Sequence, residues 1–264
     1  MTIKHILAAC LFPVAVSAQT DCLVVPNDTV DVGAAVSGLV QAVTVDRGDR
    51  VDEGQALFQL DDRSAQARLA LARLRAQNDQ NVQAARARLD LARTTAHRYE
   101  VLQQSQSAAF NDTLYQEALA EAQVAAFSLR NAELEYEAAQ LELAQIEGDL
   151  ALLTVVSPIS GIVTERRLSV GEYLDQREAV LTVVGLDPLY IEGFLPSDQF
   201  GSLAMGDQIA VTLDLSTRLE RLATVSVVDQ MIDPASRTFG FRLVLDNPGL
   251  EIPTGAPCAL DLPG

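Results

Sequence analysis

The stretch DRGDRVDEGQAL, residues 46–57, frames charged side chains and a lone Val51 between Gly48 and Gly54. Such a turn is one that a carrier domain could hold, and carrier domains present a lysine for lipoyl or biotinyl attachment. That chemistry needs an amine, and the only lysine in the chain is Lys4. Lys4 lies in MTIKHILAACLFPVAVSA, residues 1–18, where a short basic start, an apolar run from Ile6 to Val16 and small residues at Ser17 and Ala18 read as a secretory signal cleaved after Ala18. The mature chain then offers no amine side chain to modify. Asp61 and Asp62 form a paired carboxylate, but they fall where a helix is expected to start, and capping accounts for them better than acid-base chemistry. His97 is the only histidine left after cleavage and has no cysteine near it, so it builds neither a metal site nor a triad. Met205 and Met231 are too few for a thioether copper or silver site. No catalytic, cofactor-binding or metal-ligating residue is assigned.

The elements that position these residues follow from composition. The 264 residues are 48% hydrophobic, enough for a real core, and a formal net charge of −17 argues against nucleic acid as a partner. The apolar run of the signal is about half the ~20 residues that span a bilayer. LAAC at 7–10 matches a lipoprotein box only superficially, so Cys10 is not assigned as lipidated and leaves with the signal. Cys22 and Cys258 remain, an even pair in an oxidising compartment, readable as one disulfide or as two buried thiols. A bridge closing so long a loop contributes on the order of 4–5 kcal/mol in the chain-entropy model.

No glycine occurs between Gly54 and Gly148 and no proline between Pro26 and Pro158, which predicts long uninterrupted helix over 63–150. In the second half of that window Ala118, Ala122, Ala125, Leu129, Ala132 and Tyr136 open a seam that continues through Ala139, Leu143, Ile146 and Leu150 in alternating steps of four and three. In the first half Ala67, Leu71, Leu74, Asn78, Val82 and Ala85 lead on to Leu89, Ala92, Ala96 and Tyr99, with one stutter at Val82. Between them lies QQSQSAAFNDT, where Asn111 or Thr113 is placed to cap a new helix. The expectation is one antiparallel two-helix hairpin, each arm of about 40 residues reaching ~60 Å. Eight arginines crowd the first arm against Arg130 alone on the second, which is rich in glutamate. Pairing between the arms, and pairing of one copy's basic arm with a neighbour's acidic arm, account for this equally well.

The flanks of the hairpin switch to short β-branched runs that match each other. SGLVQAVTVDRGDRVDEGQALFQL (37–60) and SGIVTERRLSVGEYLDQREAVLTV (160–183) align without a gap, setting Gly48 with Gly171, Asp52 with Asp175 and Ala56 with Ala179. Because Gly48 has this counterpart and Arg47 does not, RGD at 47–49 reads as a turn and not as an adhesion tripeptide. The two half-motifs are expected to form one small β domain with the helices inserted into it. After Asp187, alternating runs at 209–213, 222–228 and 239–245 suggest an antiparallel barrel or sandwich.

With SPISGIV at 157–163, VGEYL at 170–174, GLDPLYIEGFLPSD at 185–198 and IDPASRTFGFRLVLDNPG at 232–249 in this order, the chain resembles the periplasmic adaptor, or membrane-fusion, family of bacterial efflux systems (HlyD and RND adaptors) from about residue 30 onward. The resemblance implies an elongated α+β fold: an N-terminal barrel strand in 19–30, a split lipoyl-like β domain from 31–62 and 151–185, an antiparallel coiled-coil hairpin over 63–150, and an antiparallel β-barrel over 186–264. It implies a non-enzymatic, cofactor-free periplasmic protein that bridges an inner-membrane RND transporter to an outer-membrane TolC-like channel and assembles into a ring, a trimer or hexamer. An ABC-type exporter is the alternative transporter, and a carrier-type lipoyl protein the remote one. In RND-linked members the hairpin tip often carries an Arg, a Leu four later and a Ser seven after that. Arg98 and Leu102 fit, Ala109 stands at the Ser position, and with a loop two residues longer Asn111 takes it. Read as ending at Gly264, the chain is expected to lack the membrane-proximal domain of larger members and to carry neither lipid nor helix tether. It is therefore expected to dock through the barrel and residues 19–30 and to be held at the inner membrane by its transporter. If 19–30 supplies a barrel strand, Cys22 comes near the last strand, which carries Cys258.

Overall fold

The computed structural model describes residues 20–261 except 177. The predicted signal, with Lys4 and Cys10, lies outside the described residues. Four strands come first: β1 Thr20–Gly33, β2 Gly38–Val43, β3 Arg50–Val51 and β4 Ala56–Leu60. Three helices follow, α1 Arg63–Ala76, α2 Gln80–Gln104 and α3 Asp112–Ala151. The chain then returns to β structure through β5 Thr154–Val156, β6 Gly161–Arg166, β7 Tyr173–Leu174 and the long β8 Ala179–Pro196. It ends in β9 Gln208–Leu213, β10 Leu219–Val228, β11 Thr238–Leu245 and β12 Pro257–Asp261. No described helix is long and apolar enough to cross a membrane.

The two half-motifs pair reciprocally. β3 of the first half lies against β6 of the second, with Arg50 opposite Ile162 and Val51 opposite Gly161, while β7 of the second lies against β2 of the first, with Gly38 opposite Leu174 and Leu39 opposite Tyr173. The turn contacts repeat in the same way: Gly48 N–H donates to the Val163 carbonyl at 2.8 Å, and Gly171 N–H to the Val40 carbonyl at 2.9 Å. Both glycines hold left-handed backbone, φ 95° and 91°, which a side chain would strain. Each turn is also closed by a carboxylate: Asp49 Oδ2 accepts from Asp46 N–H, and Glu172 Oε2 from Ser169 N–H. One core results, in which Val40, Leu57, Phe58 and Leu60 from before the helices pack with Val163, Leu168, Val180 and Val183 from after them. Burial of these apolar faces, at about 25 cal/mol per Å², holds the halves together.

The same symmetry governs how the chain leaves this domain. β4 pairs with β5 through Ala56–Val156, Phe58–Val155 and Gln59–Thr154 and leads into the helices. The equivalent strands, β8 and β1, pair through Ala179–Gly33, Leu181–Val32 and Thr182–Asp31, with the same irregularity, and lead into a second β domain. That domain is a closed barrel of six strands in the order β1-β12-β9-β10-β11-β8, with β1 pairing back onto β8. Its core is filled by Val24, Ile191, Leu195, Val211, Phe239 and Leu243 among others. β1 and β8 run unbroken through both domains, so the expected boundaries at 30/31 and 185/186 fall inside strands.

The helical insert departs from its expected form in the first arm, which is interrupted at Gln77–Asp79. Asparagine and aspartate favour local side-chain bonding over helix continuation: Asn78 Oδ1 accepts from Gln80 N–H, and Asp79 Oδ2 from Gln83 Nε2. The break also shifts the seam. In α1 the buried residues are Ala65, Leu69, Ala72 and Ala76, whereas the expected Ala67, Leu71 and Leu74 are exposed, as is Asn78 in the break. The α2 frame does not continue through the break. In α2 the expected Ala85, Leu89, Ala92 and Ala96 are buried, and all ten expected α3 positions are buried or half-buried.

The paired glycines Gly38 and Gly161 separate symmetry from environment. A Cβ on Gly161 would fall into the Val184 backbone carbonyl, whereas one on Gly38 would sit 3.2 Å from the flexible end of Leu60. Gly161→Ala is expected to cost about 2 kcal/mol or more and Gly38→Ala less than about 1 kcal/mol, read from urea unfolding midpoints. Equal costs would contradict the asymmetric packing.

Candidate functional site

The hairpin tip is built from the end of α2 and the start of α3. Arg98 and Leu102 lie one turn apart on one face of α2, Arg98 exposed and Leu102 half-buried. The helix stops where Gln106 takes left-handed backbone, φ 52°, and Ser107 N–H returns to the Leu102 carbonyl. Ser107 Oγ accepts from Ala109 N–H, which holds exposed Ala109 in the turn. Asn111 is the N-cap of α3, its Oδ1 accepting from Leu114 N–H at 3.2 Å, and Thr113 lies inside the helix. Phe110 packs edge-to-face on Tyr115, ring centroids 6.0 Å apart, a hydrophobic staple flanking the cap. The staple was not anticipated. An aromatic just before an N-cap with another five residues on was its signal in the sequence.

At the other end the hairpin is rooted by carboxylates. Asp61 accepts from the Arg63 backbone N–H and pairs with the Arg63 guanidinium at 2.6 Å. The Arg63 guanidinium, with help from the Arg63 N–H, lowers the Asp61 carboxyl to about 2. Asp62 occupies the N-cap position of α1 without capping it; its Oδ2 accepts from the side chains of Gln59 and Gln66. The capping expected of the pair is thus confined to Asp61, which reaches the Arg63 N–H. Along the arms Arg73–Glu147, Arg75–Glu142 and Arg86–Glu133 bridge α1 and α2 to α3 at 3.3, 3.2 and 3.8 Å. These are exposed pairs, each contributing roughly 0.2–1 kcal/mol. His97 is engaged by Glu100 at 3.2 Å. Among the described residues no group of three or more His, Cys, Asp or Glu is gathered to hold a metal ion.

In the barrel, Cys22 of β1 stands directly opposite Cys258 of β12, and the two form a disulfide with Cα atoms 4.8 Å apart. Both are buried and form part of the barrel core. The bond ties the first described strand to the last.

A reciprocally paired β core interrupted by a helical hairpin is the arrangement of a barrel-sandwich hybrid, and residues 28–185 match the CzcB-like, barrel-sandwich hybrid domain. The chain belongs to this family. Curated relatives align with most of its length. The cation efflux system protein CzcB of Alcaligenes sp. strain CT14 is 27% identical over 239 residues, 90% of this chain and 43% of the relative. The multidrug efflux pump subunit AcrA of Escherichia coli K12 is 26% identical over 232 residues, 83% of this chain and 55% of the relative. The chain thus spans about half the length of these curated relatives. MacA from Actinobacillus actinomycetemcomitans shares the fold, with a TM-score of 0.75 at 19% identity over 93% of this chain and 78% of that one.

Two measurements follow. Asp61 should titrate near 2 by NMR, and Arg63→Ala should return it toward 3.8. Because its folded value is depressed, any stability it confers is present above the unfolded carboxylate value and is lost only as pH falls toward 2. Thiol titration of the exported protein, denatured without reductant, should find no free cysteine. Cys258→Ser should lower stability by on the order of 4–5 kcal/mol. Two reactive thiols in the wild type would refute the pairing.

Proposed function

We propose that the chain is the periplasmic adaptor of a tripartite efflux system, exported by its signal peptide and bridging an inner-membrane RND-type transporter to an outer-membrane TolC-like channel. One observation carries this reading: a 40-residue helix, α3, holds a capped and stapled tip ~60 Å from the split β domain, on whose other side the β-barrel is rooted. Such an object acts by reach and docking. The tip, with Arg98, Leu102, Ala109 and Asn111, meets the channel. The barrel meets the transporter, and copies join as a ring. The efflux names of the CzcB and AcrA relatives support the class of system. The split domain is read as lipoyl-like, with the helices rooted between β4 and β5 where a carrier would need its lysine. An ABC exporter remains the second reading for the transporter.

Deleting the chain in its host should abolish export through the cognate transporter. Arg98→Glu combined with Leu102→Ala should abolish it as well, with circular dichroism and protein level unchanged. Unimpaired export by the double variant would remove the tip from the channel contact.

A further inference from the structure

The barrel contains one gap that only its final strand fills. β1 pairs with β8 over eleven positions, from Cys22–Gly193 to Gly33–Ala179, whereas its other edge, at Thr20–Leu23, is paired with β12. β12 in turn lies between β1 and β9, with four residue pairs on each side. A chain that emerges from its N-terminal end therefore lays down every other strand of the barrel before β12, and β1 keeps an open edge at Cys22 until then. Cys22 and Cys258 are 236 residues apart and, with Cys10 removed in the signal, are the only thiols of the chain. While the residues between them emerge, on the order of 10–50 s where export keeps pace with synthesis, Cys22 has no partner in its own chain. In the closed barrel the two residues are 7% and 5% exposed, so a protein-sized oxidant reaches neither sulfur once β12 is in place. We infer that Cys22 is captured as a mixed disulfide by a periplasmic dithiol oxidase and is released from it by Cys258 when β12 docks.

The exchange balances in two steps. The Cys22 thiolate attacks one sulfur of the oxidase's disulfide; that S–S bond breaks, a Cys22–oxidase bond forms, and the second oxidase sulfur leaves as a thiolate and takes a proton. β12 then enters in the register that sets Cys258 directly opposite Cys22, Cα atoms 4.8 Å apart. The Cys258 thiolate attacks Cys22 Sγ, and the first oxidase sulfur departs with the bonding electrons. The two cysteines give up two electrons and two protons, and the oxidase ends as a dithiol. Insertion of the closing strand and its covalent fixing are one event.

This inference rests on the export reading above, and trapping the intermediate tests it. Wild-type chain is pulse-labelled in its host, quenched in acid, alkylated with N-ethylmaleimide and resolved without reductant. Peptide mapping of the oxidase-linked species should place the oxidase on Cys22 at least about tenfold more often than on Cys258, a comparison that needs no variant to fold. In Cys258→Ser, which lacks the resolving thiol, the Cys22 adduct should outlast that of the wild type at least about fivefold. Adducts on Cys258 in equal or greater yield, or no adduct on Cys22, would overturn the inference, as would a disulfide formed at the wild-type rate in a host without dithiol oxidases. The fate of residues 1–18 separates the two readings. If they are removed and the disulfide forms without a Cys22 adduct, capture is wrong and export stands; if they are retained and both thiols stay free, the export reading fails and capture falls with it.

Discussion

The reciprocal pairing of the two half-motifs is the constraint on which the remaining structure depends. Neither half owns a complete sheet: β2 needs β7 and β3 needs β6. The halves are separated in sequence by the whole helical insert, so the β core closes only if that insert returns to its starting point. A hairpin does this, and the β4–β5 ladder fixes the spacing at which its arms begin, one strand separation apart, ~4.8 Å. The first contact the long helices must satisfy is therefore set by the sheet beneath them and not by their own seam.

Given that root, the arms are held by small residues and spread-out charge. The seam is alanine-rich on both sides, which brings the helix axes close while burying little area at each step. α1 and α2 are in different phase, and the break at Gln77–Asp79 lets each present alanines to one continuous α3. A straight first arm in the α2 phase would have turned Leu71 and Leu74 inward against α3. The interruption instead keeps the inner face narrow and leaves the leucines outside.

Much of this was legible from residue order. The repeat at 37–60 and 160–183 is visible because both copies keep the same glycines and apolar positions, and the geometry reproduces it bond for bond at Gly48 and Gly171. The α3 seam was legible because one uninterrupted helix keeps one frame. The α1 seam was not: a two-residue change of phase requires a break, and Asn78 and Asp79 signal one only weakly when no glycine or proline accompanies them. At the tip the sequence offers both Asn111 and Thr113 as the cap, and the bond from Leu114 N–H to Asn111 Oδ1 decides between them. The boundaries expected at 30/31 and 185/186 lie within β1 and β8, because a change of sequence character need not coincide with the end of an element.

That continuity has a mechanical meaning. A flexible linker transmits tension but no torque, whereas two hydrogen-bonded strands shared by both domains resist twisting as a ribbon does. Past the irregularity between Pro26 and Asp28, β1 pairs with β8 again on the barrel side, so the two strands leave one core as a pair and enter the next as a pair. A rotation imposed on the barrel is thereby delivered to the split domain as rotation. Since the strands rooting the barrel and those rooting the hairpin occupy equivalent places in the repeat, the domain acts as a shaft coupling with matched ends, turning the long arm when the barrel turns.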